Sequence, residues 1–319
     1  MPYINARQPF FVILNMRSGL DNNQEVMEAI KQKFAACGRE YSIFPVKNPR
    51  QLQKITLSAL ELAKQADGVI VASGGDGAIN CVVNHAYHCG CPVGLLPQGT
   101  FNLFARTHAV PETIGQALDV LLKGYFEPVQ LGLINDRIFL VNGSLGLYPR
   151  VLEDREAFKR QFGRSRAKAL LATLISLLKD YRFMRLNLQG EKGHMELSTY
   201  TLFVGNNRLQ LEQIGIDGSE NLNTGKLAAI ILKPVGRTQM LKLIWNSAFS
   251  MLGDDENVEH FYFEKLHVQR RGFYRHRVKV ALDGEVFKIR MPLIIQIAKN
   301  PLNLIKPEPD GLTGLGSQE

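Results

Sequence analysis

The stretch "VIVASGGDGAIN", residues 69–80, decides the fold of the first half of the chain. The run Val69–Ala72 is apolar, as a buried strand would be, and Ala78 onward reads as a helix. Between them stand three glycines, Gly74, Gly75 and Gly77, with Asp76 among them. Glycine loses more backbone entropy on folding than any other residue. Such a density belongs where the chain bends sharply or something approaches it closely. Successive N–H groups in such a turn, beside a helix N-terminus, make an anion site. No Gly-Lys-Ser/Thr follows, so this is not a Walker loop, and the spacing is not the G-x-G-x-x-G of a dinucleotide site. Asp76 is an acid among anion-attracting donors. It suits a metal-organising group or a base in phosphoryl transfer, or the N-cap of an ordinary strand-to-helix turn. The residues alone leave both open.

Working outward, "PFFVILN" (9–15), "EYSIFPV" (40–46), "DGVIVAS" (67–73) and "PVGLLP" (92–97) read as strands. Helical spacing separates them, with Val26, Ala29, Ile30, Lys33 and Phe34 on one face and Leu52, Ile55, Leu60 and Ala63 on another. Strands alternating with helices predict a parallel sheet covered on both faces. Ligands of such sheets bind beyond the carboxyl ends of the strands. "NMRSG", "SGGDGA" and "PQGTFN" all fall there, each with glycine and a hydroxyl or amide. Arg106, just after the third, is either a phosphate clamp or a surface charge.

From about residue 129 the texture becomes short strand-like runs with turns, predicting a mostly antiparallel second domain. In "VKVALDGEVFKI" (278–289) a strand leads into an Asp-Gly hairpin turn that would carry Asp283 and Glu285 at its tip. The closing "KPEPDGLTGLGSQE" has nothing to bury and predicts a disordered tail over 306–319.

A net charge of +8 and a pI near 9.3 favour an anionic partner. Between Arg150 and Lys168 seven basic residues stand against three acidic ones, followed by the apolar "ALLATLISLL" (169–178). That order suits peripheral docking on an anionic membrane, or equally an amphipathic helix with a solvated basic rim. "KLHVQRRGFYRHRVK" (265–279) reads as a charged edge strand, and nucleic acid is not expected as a partner. No apolar run is long enough to span a bilayer and the opening lacks a signal peptide's apolar region, which together predict a cytoplasmic protein. "HAYHCGC" (85–91) has no second Cys/His pair at zinc spacing, and "GSLG" around Ser144 is no nucleophile elbow.

The ordered set of loops resembles the diacylglycerol kinase-like lipid kinases, relatives of sphingosine kinases and, more distantly, NAD kinases. "SGGDGAIN" is similar to their GGDGT loop, "LPQGTFNLFAR" to P-x-G-T-x-N-D-F-A-R, and "LNMRSG" to N-P-x-S-G. "VNGSLGLYPR" (141–150), "FVGNNRLQLEQIG" (203–215) and "ALDGEVFKI" (281–289) also match, in order, over about residues 9–300. The resemblance implies an α/β nucleotide domain over 1–128, rejoined by 291–305, and a β-sandwich-like substrate domain over 129–290, with the nucleotide cleft between them. It implies ATP and Mg²⁺, with Gly74, Gly75, Asp76 and Gly77 on phosphates and metal. Asn15, Ser18, Asn80, Gly99, Thr100 and Asn102 would complete the nucleotide site. Asp283, with Glu285 as the alternative, would take the proton from a diacylglycerol-like lipid hydroxyl. Ala78, Leu103 and Gln130 stand where relatives carry a threonine, an aspartate and a further acid, and Thr224 lies where relatives carry aspartates for an accessory magnesium. A nucleotide- or lipid-binding protein without turnover is therefore the alternative from another class, and a kinase of a soluble substrate a further one. The oligomeric state is left open.

Overall fold

The computed structural model describes residues 3–5, 7–17, 23–147, 149, 183–191, 193–236, 255–271 and 277–308. Ser18, the basic-then-apolar segment 150–178, the helical pattern at 237–252 and the tail from 309 lie outside them. The chain divides into two compact units, Met1–Gln130 with Asn300–Glu319, and Leu131–Lys299.

The first unit is built on strands β1 (Phe10–Asn15), β2 (Tyr41–Val46), β3 (Val69–Gly74), β4 (Val93–Pro97), β5 (Tyr125–Val129) and β18 (Leu302–Lys306). They form one sheet in the order β2-β1-β3-β4-β18-β5. The strands β1 to β4 run parallel, and β5 is antiparallel to β18. β3 and β4 are buried along their whole length. That explains their unbroken apolar sequence, since a parallel strand has both faces covered. Pro45 sits in β2, an edge strand, where its missing N–H is tolerated.

Helices α1 (Asn23–Ala36), α2 (Leu52–Gln65), α3 (Asp76–Cys89), α4 (Leu103–Thr107) and α5 (Ile114–Lys123) connect the strands. α1 buries Val26, Ile30 and Phe34, one stripe at helical spacing, and stops at Gly38 with φ +62. In α2 the buried positions are Thr56, Ala59, Leu60 and Ala63; Leu52 and Ile55 are only half-buried. The small side chains take the centre because α2 packs closely on α3 and β1.

Near the chain end, Tyr125 donates to Glu127 Oε2 (2.7 Å) and Lys306 pairs with Glu127 Oε1 (2.8 Å). The hydrogen bond to Glu127, with burial, raises Tyr125 to about 12. Burial opposes ionisation of Glu127, but its bonds to Lys306 and Tyr125 prevail and its pKa is lowered. His108 stacks edge-on against Phe104, with ring centroids 4.7 Å apart. Burial first, and then the charge of Lys306, push its pKa down to about 3.

The second unit has two six-stranded sheets among the described residues. Their strands are β6 (Gly132–Ile134), β7 (Arg137–Phe139), β8 (Asn142–Gly146), β9 (Met184–Gly190), β10 (Gly193–Thr199), β11 (Thr201–Gly205) and β12 (Leu227–Leu232), then β13 (Val258–Phe263), β14 (Lys265–Arg270), β15 (Arg277–Leu282), β16 (Glu285–Arg290) and β17 (Leu293–Ile297). The orders are β10-β9-β14-β17-β6-β7 and β13-β12-β11-β8-β15-β16, antiparallel throughout. Leu186, Leu188, Val268, Leu293 and Ile295 of the first sheet share one core with Leu145, Leu202, Val204, Ile231 and Val280 of the second, which makes a β-sandwich.

Three expectations change here. The basic stretch at 265–279 is not an edge: β14 lies between β9 and β17, and β15 between β8 and β16. Leu266 and Val268 are buried while Lys265 and Gln269 are exposed, so the polar residues mark the solvent face of an interior strand. The return to the first unit is also shorter than 291–305. β17 stays in the sandwich because Leu293 and Ile295 fill its core, and β18 alone crosses back. Lys306, expected in the tail, ends β18 opposite Tyr125.

Candidate functional site

Because β3 and β4 are adjacent and parallel, the loops that follow them lie side by side, next to the end of β1. α3 begins at Asp76, earlier than the sequence suggests, and Gly75, extended at φ −82 and ψ 177, is its N-cap. Asp76 is thus the first helical residue and not the cap. Its carboxylate reaches instead to the next loop. Oδ2 accepts the Asn102 N–H at 3.0 Å and Oδ1 the Leu103 N–H at 2.9 Å. Those are the leading donors of α4, which its own backbone cannot satisfy. One carboxylate therefore closes the N-terminus of α4 while sitting in the first turn of α3, where negative charge is also favoured.

The loop after β4 is held as tightly. Asn102 is buried, with φ +46, a conformation asparagine tolerates better than most residues. Its Oδ1 accepts the Gly99 N–H (2.8 Å) and its Nδ2 donates to the Gly99 carbonyl (2.9 Å). Gln98 donates its N–H to the Gly74 carbonyl (2.8 Å) and its side-chain amide to Ser73 Oγ (2.8 Å). A Cβ on Gly99 would lie 2.9 Å from Gly75 Cα, so the two backbones meet at glycines. Gly77 differs: a Cβ there would meet nothing within 4 Å. Ala78 and Ile79 both return their N–H groups to the Gly75 carbonyl, leaving Asp76 and Gly77 as first-turn donors that the helix's own backbone does not satisfy.

Of the other expected nucleotide residues, Asn15 ends β1 beside Gly74 and accepts the Arg17 N–H (3.2 Å). Asn80 is half-buried on α3, and Thr100 is exposed. Arg106 is exposed 3.8 Å from Glu112, as a surface charge would be. Leu103, where relatives carry aspartate, contributes its backbone N–H to Asp76. Gln130 is half-buried after β5, and Thr224 Oγ1 donates to the Asn221 carbonyl (2.7 Å).

No group of three or more His, Cys, Asp or Glu comes together among the described residues. Mg²⁺ favours one or two carboxylates plus phosphate oxygens and water over an all-protein cage. Asp76, whose two bonds leave lone pairs on both oxygens, fits that mode.

In the second unit Asp283 and Gly284 form a two-residue turn between β15 and β16 with φ +47 and +88, the primed hairpin geometry that Asp-Gly favours. The two carboxylates part company there. Asp283 turns inward, Oδ2 accepting the Leu140 N–H (2.7 Å) and Oδ1 those of Val141 (2.8 Å) and Asn142 (2.9 Å). Glu285 is exposed. Beside the turn, Asn206 Nδ2 donates to the Leu140 carbonyl (3.0 Å) and Asn142 Nδ2 to Gln210 Oε1 (3.0 Å). Asn207 caps helix α6 (Arg208–Gln213) through the Gln210 N–H (3.0 Å). Asn142 Oδ1 and Ser144 Oγ are buried without a partner. This amide cluster was not anticipated residue by residue. Its signal is the pair Asn206-Asn207 between a strand and a helix. A separate cavity of about 480 Å³, lined by Leu188, His194, Met195, His260 and Phe261, opens by β13, at the opposite edge of the sheet from β16.

The sequence pattern of the diacylglycerol kinase catalytic domain matches residues 9–134, which hold all three glycine loops. The chain is similar to diacylglycerol kinases along most of its length. It is 25% identical over 285 residues to a diacylglycerol kinase of Bacillus subtilis (strain 168), covering 86% of this chain and 88% of that one. An uncharacterized protein of Synechocystis is 24% identical over 314 residues, 93% of this chain and 70% of its own. A Staphylococcus aureus diacylglycerol kinase is 32% identical over 131 residues, 40% of this chain and 41% of its own. The fold is that of a crystal structure of a putative diacylglycerol kinase from Bacillus anthracis, with TM-score 0.70 at 19% identity, over 97% of this chain and 99% of that one. The two-domain fold of these structural neighbours, a parallel α/β unit and an antiparallel β-sandwich, is thus present here. No helix among the described residues is long and apolar enough to cross a membrane.

Proposed function

We propose that the chain is an ATP-dependent lipid kinase that phosphorylates the hydroxyl of a diacylglycerol-like lipid. The observation that carries this reading is the Asp76 bridge, which locks two glycine loops side by side at the carboxyl ends of adjacent parallel strands. The Asp76 and Gly77 amides, at the mouth of α3, would receive phosphate oxygens. Magnesium held by Asp76 and the nucleotide would neutralise charge on the transferring group.

In the transfer, the lipid hydroxyl oxygen bonds to the γ-phosphorus as the bond from that phosphorus to the β,γ-bridging oxygen breaks, releasing ADP. The hydroxyl proton passes to a carboxylate. Asp283 is spent on three backbone N–H groups and is turned inward by them. Glu285, exposed on the same turn, is the freer group and we assign it the base. The basic segment 150–168 and the apolar 169–178 would dock the protein on an anionic membrane surface.

One observation favours a second reading, nucleotide or lipid binding without turnover: Asp76 and Asp283 are both committed to backbone amides. The deciding experiment follows γ-phosphate from Mg-ATP into lipid, using diacylglycerol in anionic vesicles, for wild type and Glu285→Gln. Labelled lipid from wild type and its loss in the variant support the kinase. No labelled lipid, with ATP still bound, supports the second reading.

A further inference from the structure

Resting on the nucleotide reading, we infer that Phe101 is the platform on which the adenine ring of ATP stacks. Phe101 is 65% exposed, although its neighbour Asn102 is 3% exposed. The two-way bond between the Asn102 side chain and Gly99 closes residues 99–102 into a tight loop, with Thr100 and Phe101 at its outer bend. Asp76 then fixes the Asn102 amide from the other side (3.0 Å). The loop is thus rigid at both ends, and it holds an aromatic ring in water beside the anion-binding turn.

A lone exposed phenylalanine is unremarkable on a protein surface. What separates this one is its place. Tyr3, Leu57, Leu62, Phe183 and Met195, the other large exposed apolar residues described, all lie outside the glycine loops. A ring with two side-chain torsions on a fixed backbone loses little entropy when a base covers it. A base has a π-face of matching size, and such stacking is sequence-tolerant and strong. The anionic phosphates would sit at the Gly77 turn while Phe101 takes the apolar end of the same molecule. A bilayer could also accept an exposed phenylalanine, but an amide-lined anion turn beside it matches a nucleotide better.

The test measures binding of ATP and of inorganic tripolyphosphate, by calorimetry with magnesium, to wild type, Phe101→Ala and Phe101→Tyr. The expected result is ATP binding about tenfold weaker or more in Phe101→Ala. Tripolyphosphate binding should be unchanged and ATP binding retained in Phe101→Tyr. Equal ATP affinity in wild type and Phe101→Ala overturns the inference. Equal losses of ATP and tripolyphosphate overturn it too, because Phe101 would then support only the loop. A loss confined to sedimentation with anionic vesicles assigns Phe101 to the membrane and also overturns it. Wild type that binds neither ATP nor tripolyphosphate would overturn the nucleotide reading itself, a different result from any of these.

Discussion

Asp76 Oδ1 accepts the backbone N–H of Leu103 at 2.9 Å, across 27 residues of sequence. A side chain expected to serve a ligand therefore also serves the fold. With its second bond, to Asn102, it makes two separate loops one rigid body. Asp76→Ala leaves two helix-end amides without an acceptor and should lower stability by about 1–3 kcal/mol as well as abolish phosphate transfer. Urea unfolding measures the first effect and lipid labelling the second. Loss of transfer with unchanged stability would mean the bridge contributes nothing to folding.

Gly77 and Gly99 separate space for a ligand from space the protein itself uses. Gly77→Ala meets open space near the start of a helix and should leave stability within about 1 kcal/mol, while weakening ATP binding at the α3 mouth. Gly99→Ala forces a Cβ to 2.9 Å from Gly75 Cα and should destabilise the first unit outright. Thermal unfolding with and without ATP distinguishes them. Equal ATP affinity in wild type and Gly77→Ala would remove the phosphate from that turn.

On the acidic turn, the two carboxylates should split. Asp283→Ala strands three amides and should cost several kcal/mol of stability or prevent folding. Glu285→Gln should leave stability within about 0.5 kcal/mol and lower phosphate transfer about 10²–10⁴-fold. A Glu285→Gln enzyme with full kcat would return the base assignment to Asp283.

Acid should loosen the first unit through His108 and Glu127 together. His108 is held neutral, at about 3 against 6.5 for the free side chain, so the unfolded chain binds the extra proton between those values. Stability therefore falls as pH drops from 6.5 toward 3. Glu127 has a lowered pKa, so its contribution is complete above the ordinary carboxylate range and is lost below it. His108→Phe should remove the decline near pH 5–6.5, where Glu127 contributes little, and make it shallower below, where the Glu127 part remains. Tm measured across this range checks it. An unchanged slope would mean that His108 does not carry the upper limb.

Much of this architecture was legible in the chain. The first four strands and three helices are written in local periodicity, and the Asp-Gly turn in two residues. What escaped depended on non-local partners. Nothing near Lys265 signals that β9 and β17 flank it, because a polar face looks alike on an edge and an interior strand. Nothing near Asp283 announces the three amides of residues 140–142. The start of α3 was misjudged by two residues because Gly75, and not Asp76, takes the capping position. The loops themselves were found because glycine demands are local; their rigidity was not, because it runs through Asp76 and Asn102.

Apart from a single bridge between Tyr125 and Tyr3, β5 pairs among the described strands with β18 alone, and β18 is the last strand described. A chain emerging from the ribosome therefore makes β5 about 170 residues before its partner exists, long enough for a whole second unit to be synthesised. Until then β4 is an open edge of buried apolar residues, a template for mispairing. Chains cut at residue 299 should be retained by chaperones or aggregate, whereas adding back a peptide of residues 300–308 should seal that edge.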